Sequence, residues 1–111
     1  MLKTELRELL GDRPGLTKSE IVHYLSRRTG LTKVETETVV EGLLGTVQEV
    51  LKMGKKVELR GFGTFLVRTR EPRAARNPAT QETVMLGRRN VPIFKCSKSL
   101  KTAVDQALSA G

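Results

Sequence analysis

The sequence predicts an α+β fold: helices first, antiparallel strands in the middle and one helix at the end. Three observations predict it. Two capping-box patterns, Thr17-Lys18-Ser19-Glu20 and Thr32-Lys33-Val34-Glu35, each open a stretch of helical spacing that a glycine closes. From Lys56 the apolar residues switch to every second position, and after Ser97 the helical spacing returns.

Taken in order, Leu2, Leu6, Leu9 and Leu10 recur at helical spacing until Gly11-Asp12-Arg13-Pro14-Gly15 breaks the pattern, which predicts a short leading helix and a turn. The first capping box opens a helix to about Thr29, with Ile21, Tyr24 and Leu25 on one face and Gly30 placed as a left-handed cap. The second opens a helix striped by Val40, Leu43, Leu44, Val47 and Leu51 and ended by Gly54. At its rise per residue it spans roughly 30 Å, and the pair forms an αα-hairpin. Lys56-Val57-Glu58-Leu59-Arg60 alternates as a half-buried strand does, and Gly61-Phe62-Gly63 is a bend that brings backbones close around an aromatic ring. Alternation resumes over residues 65–70, with Phe65 and Val67 on one face and Arg68 and Arg70 on the other. Residues 71–81 carry two prolines and little apolar content. Residues 83–86 read as a returning strand and 89–94 as its continuation toward the core. Ser97 is placed to cap a last helix with Leu100, Ala103, Val104, Ala107 and Leu108 on its inner face.

A chain of 111 residues has room for one domain. It has no apolar run long enough for a membrane span, and its first residues do not form a signal region, so neither a membrane nor export is expected. The single cysteine, Cys96, permits no internal disulfide and no zinc site, which fits a cytoplasmic protein. Twenty Lys and Arg against twelve Asp and Glu give a net charge of +8. Half of that excess falls in residues 66–90, where six arginines (Arg68, Arg70, Arg73, Arg76, Arg88, Arg89) face two glutamates. A polyanionic partner follows, and arginine's planar fork suits phosphate oxygens and narrow grooves.

The segment 66–90 is too long and too polar to lie on so small a body, and is expected to project as an arm. Arginines on a two-stranded ribbon are suited to a minor groove, whose potential is negative. Pro78, at the tip in Arg76-Asn77-Pro78, is rigid, apolar and short of a donor, which suits a wedge between base pairs. Only four aromatics are present, Tyr24, Phe62, Phe65 and Phe94, so the core of one chain is thin and dimerisation would thicken it.

Val57-Glu58-Leu59-Arg60-Gly61-Phe62-Gly63-Thr64-Phe65, then Arg76-Asn77-Pro78, then Asn90-Val91-Pro92-Ile93-Phe94 resemble, in order and spacing, the HU and integration host factor family over roughly residues 16–108. The resemblance implies an intertwined dimer with a helical base, an antiparallel sheet and two protruding β-arms of about residues 66–90. It implies that Pro78 intercalates, that Arg70, Arg73, Arg76 and Asn77 enter the minor groove, and that Arg68, Arg88 and Arg89 line the arm's flanks. Lys18, Lys98 and Lys101 match body positions that touch phosphates, and Phe62, Phe65 and Phe94 would fill the dimer core. Residues 1–15 precede the family's usual start and form an extension, leaving 16–111 as the DNA-binding domain. Gln81 stands after Thr80 where the family often has glycine, and Ala74-Ala75 where Thr-Gly is more usual. Glycine takes positive φ cheaply and glutamine does not, so the tip's conformation stays open.

The function expected is therefore architectural: a dimer that bends double-stranded DNA with little base readout, without cofactor, metal or membrane. Arg88-Arg89 leans toward integration host factor and a heterodimer with a paralogue, whereas Asn90-Val91-Pro92 leans toward an HU-like homodimer. A ribosome-associated RNA binder is the rival, weakened by an arm without aromatics for unpaired bases. A scaffold acting through residues 1–15 is a third possibility, and those residues are expected either to pack on the body or to meet a partner or DNA. Catalysis lacks a constellation: His23 and Cys96 lie in different elements, His23 reading as a helix-surface residue and Cys96 as an inert thiol near the core.

Overall fold

The computed structural model describes residues 2–109; Met1, Ala110, Gly111 and the side chains of residues 2–4, including Leu2 of the leading leucine spacing, lie outside the described residues. The chain divides into two compact units, residues 1–45 and 46–111. The elements run α1 (Leu2–Leu10), α2 (Lys18–Thr29), α3 (Lys33–Lys52), β1 (Val57–Leu59), β2 (Gly63–Arg70), β3 (Arg73–Arg76), β4 (Thr83–Leu86), β5 (Arg89–Cys96) and α4 (Lys98–Ser109).

In the first unit both capping boxes form. The Thr17 hydroxyl accepts the Glu20 N–H while Glu20 accepts the Thr17 N–H at 2.9 Å. Thr32 and Glu35 repeat the exchange at 3.1 and 2.9 Å. Each box satisfies two amide donors that a helix start leaves unpaired. Gly30, at φ 78°, closes α2 by donating to Ser26 O. The leading helix packs back on α2. Glu5 accepts from Arg28 at 3.2 Å, Arg13 pairs with Glu20, and Glu5, Glu8 and Leu9 line a groove with His23, Tyr24 and Arg27.

The buried face of α2 differs from the expected one. The side chain buried there is Val22, only 4% exposed, while Ile21 is exposed. At about 100° per residue, Tyr24, Arg27 and Arg28 form the side that meets α1, and Val22, Leu25 and Ser26 form the opposite side. Ile21 falls between them. Leu43 and Leu44, expected in the apolar stripe of α3, are exposed as well.

In the second unit the sheet order is β1-β2-β5, all antiparallel, with Val57 opposite Phe65 and Phe65 opposite Phe94. The ring of Phe94 packs on Phe65 and Phe62 at centroid distances of 4.8 and 5.3 Å. That packing needs Gly63. A Cβ at this position would lie 2.5 Å from two Phe94 ring atoms and 2.6 Å from the Lys95 carbonyl oxygen. The Gly61–Phe62 bend is tied to α4, because Ser97 N–H donates to Phe62 O at 2.9 Å and Ser97 Oγ to Gly61 O at 3.1 Å. The same Ser97 Oγ accepts the Leu100 N–H at 3.1 Å and caps α4 as expected.

One detail differs from expectation. Cys96 is exposed rather than near the core, because β5 ends there beside a helix with no buried side chain. Residues 73–76, in the stretch expected to build no core, form β3 and pair with β4 as the expected two-stranded ribbon, because a polar ribbon needs only a partner strand.

Candidate nucleic-acid interface

The ladder between β2 and β5 runs to the Arg70–Arg89 pair and stops. Pro72 has no N–H to continue it, and Gly87-Arg88 interrupts the other strand. A second ladder then begins, β3 against β4, with Arg73 opposite Leu86, Ala74 opposite Met85, Ala75 opposite Val84 and Arg76 opposite Thr83. Residues 77–82 turn the ribbon. The Asn77 carbonyl accepts the Gln81 N–H at 2.7 Å, the Asn77 side chain accepts the Ala79 N–H at 2.9 Å, and Asn77 N–H donates to Glu82 O at 2.8 Å. Asparagine therefore shapes the turn with both its backbone and its side chain. Gln81 adopts φ 64°, so the left-handed conformation expected to favour glycine is present on a residue with a Cβ. Its amide donates to Pro78 O at 3.3 Å, which leaves the Pro78 ring exposed at the tip.

Charge is arranged around this ribbon without internal neutralisation. Among the described residues, every ion pair lies between residues 5 and 58, and none involves Arg68, Arg70, Arg73, Arg76, Arg88 or Arg89. Arg70 stands directly opposite Arg89, an unfavourable placement of like charges unless an anion lies between them. Nη1 of Arg89 is buried with no hydrogen-bond partner among the described residues, and Arg70, Glu71, Arg73, Arg89 and Val91 line a groove at the base of the ribbon. A buried, unpaired guanidinium donor is costly until an acceptor fills it.

The structure places the expected residues in four groups. Arg68, Arg70, Arg73, Arg76, Asn77, Pro78, Arg88 and Arg89 belong to the ribbon and its flanks, all exposed except the half-buried Arg89. Lys98 and Lys101 are exposed on the first turns of α4. Lys18 lies in the first unit and is engaged. It pairs with Glu41, and that hydrogen bond, with the charges of Glu41 and Glu37, holds its ammonium above its ordinary pKa. Phe62, Phe65 and Phe94 cluster as described, with Phe62 and Phe94 still 47% and 42% exposed. Sequence reasoning missed Lys95. Opposite Thr64, it shares by alternation the sheet face of Arg68, Arg70 and Arg89, and it is exposed. The signal was available, since Arg89, Val91, Ile93 and Lys95 fall at every second position.

Among the described residues no group of three or more His, Cys, Asp or Glu side chains could hold a metal ion, and no helix is long and apolar enough to cross a membrane.

Comparison with known proteins gives a consistent result. The family model described as "Bacterial DNA-binding protein" matches residues 16–105. Integration host factor subunit beta of Haemophilus influenzae is 43% identical over 91 residues, covering 81% of this chain and 97% of that protein. DNA-binding protein HU-alpha of Vibrio cholerae is 39% identical over 89 residues, covering 80% and 99%. A co-crystal structure of Anabaena HU with DNA matches with a TM-score of 0.73 at 34% identity, covering 80% of this chain and 97% of that one.

Proposed function

The chain belongs to the bacterial DNA-binding protein family that includes HU and integration host factor, a family of DNA-binding proteins rather than enzymes, and from that membership we propose that it is an architectural protein that dimerises and bends duplex DNA. The observation that carries this reading is the set of six arginines on and beside an exposed ribbon, none of them paired within the described chain. Such charge is satisfied by phosphates, and neutralising each phosphate releases counterions. The ribbon enters the minor groove, Arg70, Arg73, Arg76 and Asn77 contact its walls, and Pro78 wedges between base pairs at the kink. Unstacking a step costs a few kcal/mol, offset by the contacts that bent DNA adds. Arg68, Arg88, Arg89 and Lys95 extend the phosphate contacts along the sheet, and Lys98, Lys101 and Lys18 hold flanking DNA. The open Phe62–Phe94 cluster and the apolar face of α4 close against a second subunit. Residues 16–111 form the DNA-binding domain, with 1–15 an added helix docked on α2, and the protein works on the nucleoid.

The test is a duplex labelled at both ends for fluorescence transfer. Binding should shorten the end-to-end distance, and Pro78→Ala should reduce the bend more than the affinity. Binding with no change in distance overturns the proposal. A second reading, one subunit of a heterodimer, draws on Arg88-Arg89 and the integration host factor relatives. The mass of the purified chain in solution decides it: a stable dimer of this chain alone removes the need for a paralogue.

A further inference from the structure

The ribbon carries apolar surface that charge neutralisation does not use. Met85 is 69% exposed and Val84 43%, on an element that borders no core. The register sorts the ribbon into two faces. Arg73, Ala75, Val84 and Leu86 share one, of which Ala75 and Leu86 are half-buried. Ala74, Arg76, Thr83 and Met85 share the other, and all four are exposed. On this open face Ala74 lies directly opposite Met85, so the two side chains meet across the strands as one short apolar rail. Arg76 and Thr83 add a cation and a hydroxyl at the tip end.

We propose that the Ala74–Met85 face of the ribbon packs against sugar edges of the duplex and makes the arm prefer deoxyribose to ribose. The proposal rests on the arm reading above, with duplex DNA as the occupant. The complementarity is twofold. Arg76, on the same face and unpaired among the described residues, supplies the charge that draws the ribbon to phosphates. The rail then meets whatever lines the groove wall. In DNA that wall presents C–H groups of the sugar, which an alanine methyl and a thioether chain cover at no hydrogen-bonding cost. In RNA the shallow minor groove is studded with 2′-hydroxyls. Neither Ala74 nor Met85 has a donor or a strong acceptor for a hydroxyl, so covering one strips its water without replacement. The discrimination therefore comes from an unmet polar group on the wrong partner, not from an extra contact to the right one.

The experiment measures binding of DNA and RNA duplexes of one sequence and length, by direct titration and by competition, at one fixed salt concentration. The wild-type chain should prefer DNA. Met85→Thr keeps a strand-compatible side chain but adds a hydroxyl; it should lower DNA affinity about fivefold by shrinking the apolar contact. It should leave RNA affinity unchanged or raised, so that the preference narrows. Met85→Leu should retain the wild-type preference. Equal changes in DNA and RNA affinity for Met85→Thr, or equal wild-type affinity for the two duplexes, overturn the inference. The end-to-end distance of bound DNA separates this from the function itself: a normal bend with no sugar preference removes only the rail, whereas no bend removes the arm reading on which it rests.

Discussion

The helical part of the molecule and the ribbon are both rich in cations, but they treat them differently. In the first 58 residues, Arg13, Lys18, Arg28, Lys52 and Lys56 each pair with a glutamate. On the ribbon and its flanks six arginines face only Glu71 and Glu82, and none forms an ion pair among the described residues. The first arrangement serves the fold: Arg13–Glu20 ties the turn after α1 to the start of α2, and Arg28–Glu5 ties α1 to the far end of α2. The second leaves its charge unneutralised and so available to a partner. The lesson is that net charge alone does not locate a binding surface; charge without an internal counterpart does.

The contrast can be broken in four ways. The largest effect should follow Arg73→Ala with Arg76→Ala. Losing two phosphate contacts in each subunit should lower duplex affinity roughly fifty-fold per arm near 0.1 M salt and reduce the salt slope by about 1.8 per arm. Because neither residue is paired, thermal stability should hardly move, and a matching loss of stability would show these arginines to be structural. Gly63→Ala should do the reverse. The added Cβ meets the Phe94 ring and the Lys95 carbonyl, so chemical denaturation should show a loss of about 2 kcal/mol, with the salt slope of the remaining folded protein unchanged.

Glu41→Gln probes a paired cation. It removes the carboxylate that competes with phosphate for Lys18, so duplex affinity should rise severalfold and the salt slope should steepen by up to about 0.9 per subunit. No change in slope would assign Lys18 to the fold alone.

The smallest effect is in acid. The hydrogen bond from the Arg13 guanidinium, followed by that from the Thr17 amide, lowers the Glu20 carboxyl from 4.5 to about 2. A depressed carboxyl stabilises the folded state above its ordinary value and stops doing so as pH falls through the folded value. The helical circular-dichroism signal should therefore weaken modestly between about pH 4.5 and 2, and Glu20→Gln should flatten that fall.

Much of this was legible from particular residues. The capping boxes at Thr17 and Thr32 and the cap at Ser97 are local chemistry, encoded within four residues, and they set the helix starts where expected. The ribbon followed from what residues 71–81 lack. Val22 was harder to read, because which side of an amphipathic helix is buried is a tertiary matter that the spacing of Ile21, Tyr24 and Leu25 does not encode. Lys95 escaped because its relevance comes from pairing with Thr64 across the sheet. The buried, unpartnered Nη1 of Arg89 is likewise a product of packing. Gln81 in place of a frequent glycine leaves the tip's conformation open in the sequence, and its left-handed φ is read only from the folded turn.

The gap between the two ladders has a consequence for how the protein meets its ligand. Residues 71–72 and 87–88 carry no strand pairing, so β3 and β4 share no continuous hydrogen-bonded lattice with β2 and β5. Amide exchange in residues 73–86 should then occur through its own opening, faster than in residues 63–70 and uncorrelated with it. A polyanion that quiets this opening gives up part of its association energy to restraining the hairpin, and binding strength becomes tunable by loop residues that never touch it.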